Sequence, residues 1–233
     1  MKKAKLTRPF FVVNPKSYLY GQDLRDLAKK TDELCGRYNF DCLFTAQLID
    51  LPWVVANCPN LTPCAQNMES LVPGRGMGHI LPEALADAGV KATFLNHAEN
   101  PMTIHELATT INRANEVGIL TVVCADSVEE AKAIATFKPD VMTCELTSLI
   151  GTGEVAGEDY MRQSTRAVKE VSPNTLVLQA AGIHSGENVY NAIAYEADAT
   201  GGTSGIVCAE DPFATLEEMF AALDRARTDF CEE

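Results

Sequence analysis

Among the polar residues at the ends of apolar runs, Asn14, Lys16, His97 and Glu145 stand out as side chains able to move a proton or hold an anion. Glu145 closes the run DVMTC and is followed, after Leu146-Thr147, by SLIGTG (148–153), with the apolar tip and glycines of a closing loop. A carboxylate that such a loop shields from water becomes more basic, because desolvation disfavours its charged form. That suits proton removal from carbon. A strand-end acid more often caps the next loop or pairs with a surface lysine. Here the buried run before it, the glycines after it and a histidine ending another run favour the base.

His97 follows Leu95-Asn96 just before a helical pattern. The positive end of a helix dipole disfavours imidazolium, so a ring facing that terminus stays neutral and donates a hydrogen bond. Lys16 ends Asn14-Pro15-Lys16, where the fixed φ of proline sends the side chain out in a defined direction. There it can steer and hold an anion. His79, His105 and His184 have weaker claims, lying in a loop, within a helix and beside a glycine turn. The turns Gly151-Thr152-Gly153, Ala181-Gly182 and Ser204-Gly205 expose backbone N–H groups, and such turns after late strands of a barrel often hold phosphate.

These residues are positioned by an alternation of short apolar runs and amphipathic segments. Strands are expected at 9–15, 40–47, 61–67, 92–98, 120–126, 140–145, 175–182 and 199–207. Helices are expected at 21–38, 51–57, 81–89, 103–118, 127–137, 160–172, 187–197 and 212–229, the fifth opened by a Ser127/Glu130 capping box. Eight β-then-α units joined by short connections make an α/β protein with a closed (β/α)8 barrel, read as a single domain over residues 1–233. Chemistry then belongs at the C-terminal ends of the strands, which is where Asn14, Lys16, His97, Glu145, Gly182, Ser204 and Gly205 fall.

Composition narrows the function. A net charge of −13 argues against nucleic acid and against anionic membrane surfaces, but leaves room for a small anion held by backbone amides. The eight cysteines form no CxxC pair and no Cys/His cluster with metal-ligand spacing, so neither a metal nor a cofactor is expected. Several lie in apolar runs, which fits reduced thiols in the cytoplasm. The basic N-terminus is followed by only FFVV, too short for a signal peptide.

The order and spacing of NPK (14–16), AQN with VPGRGMGHILPEAL (65–85), LNHAE (95–99), EVGILTVVCA (116–125), E…LIGTG (145–153), AAGIHSGENV (180–189) and SGIVCAEDP (204–212) resemble the triosephosphate isomerase family, particularly its short archaeal-type members. The resemblance runs from about residue 9 to about residue 227. It implies a TIM barrel that isomerises a small phosphorylated sugar by the acid–base chemistry for which this family is a standard example. By resemblance Glu145 is the base, His97 the neutral electrophile, Lys16 a further catalytic residue, and Lys16 with Asn14 the holders of substrate oxygens and phosphate. Glu99 is implied to be a buried supporting acid, Gly151, Gly182, Ser204 and Gly205 the phosphate-binding amides, and residues 146–156 a lid. A homo-oligomer, dimer or tetramer, is implied by PGRGMGH (73–79), which matches the family's interdigitating loop. The chain departs from the pattern near the site. Leu146 and Thr147 stand where prolines are usual, Ala98 and Asn100 replace serine and arginine around Glu99, and Met77 replaces a threonine. These departures leave open a related sugar phosphate, such as a four-carbon ketose phosphate, or a non-catalytic binder of phosphometabolites.

Overall fold

Apolar residues at alternating positions decide the architecture. In strand β1 (Phe10–Val13) all four side chains are buried, Phe10 and Val12 on one side and Phe11 and Val13 on the other. A strand covered on both faces belongs in a parallel sheet wrapped by helices. The computed structural model describes residues 3–146 and 155–231. Its elements run β1, α1 (Gly21–Tyr38), β2 (Cys42–Ala46), α2 (Leu51–Asn57), β3 (Leu61–Ala65), α3 (Pro82–Asp87), β4 (Ala92–Leu95), α4 (Ile104–Val117) and β5 (Leu120–Ala125). They continue with α5 (Val128–Ala135), β6 (Val141–Cys144), α6 (Glu158–Val171), β7 (Leu176–Gln179), α7 (Gly186–Ala194), β8 (Ala199–Gly202), α8 (Ser204–Val207) and α9 (Pro212–Phe230). Every strand pairs in parallel with its neighbours in chain order, and β8 closes onto β1. The fold is therefore the expected (β/α)8 barrel.

Two cores result. Phe10, Val12, Leu43, Phe94, Val122 and Leu178 fill the barrel interior, while a larger cluster that includes Phe11, Phe44 and Phe220 joins strands to helices. The strand termini are short of those expected from sequence. β4 stops at Leu95 because Asn96 turns into the left-handed region at φ 57°, a conformation that asparagine tolerates. The run 199–207 splits: the strand ends at Gly202, and Ser204–Val207 is a helical turn in which Ile206 N donates to Thr203 O. Helix α6 begins two residues earlier than expected and α5 ends two residues sooner. Ser127 caps α5 as expected, its Oγ accepting from Glu130 N at 3.1 Å, but the Glu130 carboxylate accepts from Asp126 N rather than completing a box. A complete capping box instead opens α4, between Thr103 and Glu106. Among the described residues no helix is long and apolar enough to cross a membrane.

Candidate active site

The C-terminal ends of the strands enclose a cleft of about 490 Å³, within the usual range for small-molecule sites. Asn14, Lys16, His97, Glu99, Glu145, Gly182, Ser204 and Gly205 all line it, although up to 191 residues separate the first from the last in sequence (205 − 14). Gly151 lies outside the described residues.

Lys16 is held in an unfavourable shape. Its backbone is left-handed, at φ 47°, which costs free energy in a residue with a Cβ and persists where neighbours over-determine it. Three neighbours do so. The Asn14 Oδ1 accepts from Lys16 N at 3.1 Å and from Thr45 Oγ1 at 2.6 Å, and Gln66 Nε2 donates to Lys16 O at 2.8 Å. Asn14 N in turn donates to Gly202 O, tying the lysine turn to β8. Thr45, near the end of β2, and Gln47, just past it, whose Nε2 donates to Ser17 Oγ at 3.0 Å and to Lys16 O at 3.5 Å, are supports that sequence reasoning missed; their position at a strand end was the available signal.

From this turn the Lys16 Nζ reaches Glu99 Oε1 at 2.6 Å. The expectation that Glu99 is buried does not hold: its side chain is 61% exposed, and the lysine is the more covered partner at 17%. With asparagine at position 100, the cation beside Glu99 comes from β1. Lys16 holds the Glu99 carboxyl below the usual carboxylate range.

His97 is half-buried just past β4, and its Nδ1 accepts a hydrogen bond from Glu99 N at 3.1 Å. An accepting nitrogen carries no hydrogen, so the neutral ring bears its one N–H at Nε2. Burial, reinforced by Lys16, holds the imidazole below its ordinary value, against an opposing pull from Glu99. Burial and the Lys16 charge thus favour the neutral ring. Glu145 stands one residue past β6, where its N–H donates to Ala125 O at 3.0 Å. Burial pushes its carboxyl up, Lys16 pulls it part of the way back, and Glu99 pushes it further up. Next to it, burial pushes the Cys144 thiol up to about 12, so this cysteine behaves as a small apolar group. Glu145 also borders a smaller cavity of about 240 Å³ with Asn96, Ala98, Asp126 and Glu130.

Opposite these groups lies a wall of small residues. Gly182 is left-handed at φ 76°. Gly205 has no room for a side chain: an added Cβ would lie 2.1 Å from Ile183 O. The loop after β7 and the turn after β8 are therefore pressed together. The helical ladder of α8 starts with Ile206 N, so it does not use the amides of Ser204 and Gly205. The cleft continues into a second space of about 330 Å³ lined by Gln47, Gln66, Asn67, Ile80 and Asn100. Of the other histidines, His184 lines the main cleft, while His79 lies 3.4 Å from Glu69 in the loop after β3. His105 is an exposed residue of α4.

A basic carboxylate, a neutral imidazole donor, a lysine and a wall of amides together can hold an anion while moving a proton beside a carbonyl. Comparison with known proteins points the same way. The family model described as triosephosphate isomerase matches residues 9–210. Triosephosphate isomerase of Methanocaldococcus jannaschii is 32% identical over 213 residues, covering 89% of this chain and 97% of that protein. The enzymes of the same name from Methanothermus fervidus and Methanopyrus kandleri are 30% and 32% identical over 94% and 93% of this chain, and 100% and 98% of their own lengths. A family model over most of the chain and relatives covered almost end to end place this chain in the triosephosphate isomerase family, as an isomerase.

Proposed function

We propose that the cleft interconverts glyceraldehyde 3-phosphate and dihydroxyacetone phosphate through an enediolate. The observation that carries this reading is the pairing of Glu145, made basic by burial, with the neutral Nε2–H donor of His97 in one cleft that also holds Lys16. Glu145 takes a proton from the carbon beside the carbonyl and returns it to the neighbouring carbon, so the substrate is isomerised with no external oxidant or reductant. His97 donates to the oxygen on which negative charge develops, and Lys16 adds positive charge nearby; such preorganised donors act on the transition state. Asn14 fixes the lysine turn and faces the same substrate oxygens. Glu99 aims Lys16. Gly182, Ser204 and Gly205 offer backbone amides to the phosphate, joined by Gly151 according to the family resemblance. The implied lid, residues 146–156, to which the reading assigns the exclusion of water from the enediolate, lies mostly outside the described residues.

The enzyme is also proposed to work as a homo-oligomer, dimer or tetramer, through the loop around PGRGMGH (73–79). Met77 is 100% exposed at its tip, and Val72 beside it is 61% exposed. All eight cysteines are free and six are buried, which suits a reducing setting such as the cytoplasm.

A coupled assay on both triose phosphates tests the reading. Glu145→Gln should lower turnover by about 10²–10⁴-fold, the usual worth of a positioned general base. Native turnover no better than that of the variant would remove the proposal. A preference for a four-carbon ketose phosphate over both trioses would move it to another substrate.

A further inference from the structure

The described lining of the cleft offers a doubly charged phosphate little fixed positive charge. Its described lining carries one lysine, already 2.6 Å from a carboxylate, and two acids, Glu99 and Glu145. The wall of small residues supplies amides but no fixed charge. Besides Lys16 and His97, the described lining holds one further side chain able to carry positive charge, His184, on the loop between β7 and α7.

Resting on the phosphate reading of the cleft, we propose that His184 is a phosphate-binding residue that gives this enzyme its preference for a charged over an uncharged substrate. Its Nδ1 lies 2.7 Å from Gly182 O. A carbonyl oxygen can only accept, so Nδ1 carries a hydrogen and Nε2 is the nitrogen left for a ligand. In the neutral ring Nε2 is a lone pair, which repels phosphate oxygens. In the imidazolium it is a charged donor, which binds them by a charge-assisted hydrogen bond. Only the doubly protonated ring can donate to the phosphate from Nε2. His97 is set the opposite way: its Nδ1 accepts, so it presents Nε2–H while neutral, as a carbonyl requires.

Packing keeps the ring at the amide wall. A Cβ on Gly205 would stand 2.6 Å from the His184 Cα and 2.8 Å from its Cβ, so the histidine backbone lies directly on the Ser204-Gly205 turn. His184 N donates to Asn188 Oδ1 at 3.3 Å, which anchors the residue to α7. The side chain itself is exposed, free to meet a ligand entering the cleft.

The test compares the native enzyme with His184→Gln and His184→Lys. Each is assayed with glyceraldehyde 3-phosphate, with inorganic phosphate and phosphoglycolate as competitors, and each is checked for folding by thermal melting. His184→Gln should raise KM and both inhibition constants together by roughly ten- to a hundredfold, the worth of one hydrogen bond to a charged group. The loss should fall on KM, with kcat within about threefold. His184→Lys should recover most of the binding, which a merely structural role would not allow. Constants for His184→Gln within about twofold of native would overturn the proposal, as would equal losses in the two variants or a fall in kcat alone. If the native chain turns over no triose phosphate, the substrate assignment fails separately. Calorimetry with phosphoglycolate then still decides: binding weakened in His184→Gln supports the inference, and equal binding sinks it.

Discussion

Glu99 acts on both Glu145 and His97 at once. It raises Glu145 and His97, while Lys16 lowers both, and the two are joined at 2.6 Å. Replacing the Glu99 charge therefore moves Glu145 and His97 the same way, downward. The acid limb of the kcat/KM profile reports ionisation of the base in the free enzyme. In Glu99→Gln that limb should shift to lower pH, with kcat/KM at its plateau reduced by about tenfold as Lys16 loses its aim. A limb that stays put, or moves to higher pH, would show that Glu99 does not set the basicity of Glu145. This contact was not legible in the sequence, where Glu99 read as a buried acid. The two partners are 83 positions apart, and only barrel closure makes them neighbours.

At the scale of elements, β8 explains its own composition. The string ATGG reads poorly as a strand because it lacks the branched and aromatic side chains that strands favour. Yet the strand pairs with both β7 and β1, and a Cβ on Gly201 would fall 2.0 Å from Val12 O. The missing side chain is what lets β8 close the barrel. Gly201→Ala should cost roughly 2–4 kcal/mol, because the obstructing atoms are backbone and cannot step aside. Gly157→Ala, with nothing within 4 Å of the added carbon, should cost under about 1 kcal/mol. Denaturant unfolding of the two variants checks the contrast, and equal costs would refute the packing argument. Helix starts with side-chain caps, such as those at Thr103 and Ser127, were easier to locate because their partners lie three residues away.

Over the whole molecule, apolar side chains are exposed unevenly. Tyr20, Ile49 and Met77 are 75%, 88% and 100% exposed, all in the connections that follow β1, β2 and β3. Exposed apolar groups gathered at one rim mark an interaction surface. The polar space beside Gln47, Gln66 and Asn67 opens on the same side. If copies of the chain meet there, Met77→Glu places a charge in the contact. Light scattering should then show a shift toward the 25.2 kDa monomer, with kcat falling alongside. An unchanged mass would place the oligomer contact elsewhere.

The sequence by itself determined the alternation of strands and helices, because burial on two faces or one stripe imposes a period that local residues must obey. It also placed the side chains that line the cleft at strand ends, since polar residues that close apolar runs have few other places to go. Proline at 15 and glycines at 182 and 205 marked turns whose backbone they make accessible. Tertiary structure alone decided which of these residues touch. The Lys16–Glu99 pair and the contact of His184 with the Ser204-Gly205 turn depend on strands distant in sequence meeting in register, while the proton positions of His97 and His184 are set by loop contacts two residues away that only the folded loop shows. Periodicity records what faces the core. It carries no information about partners across a closed barrel, because those are set by how eight separate strands share one ring of hydrogen bonds.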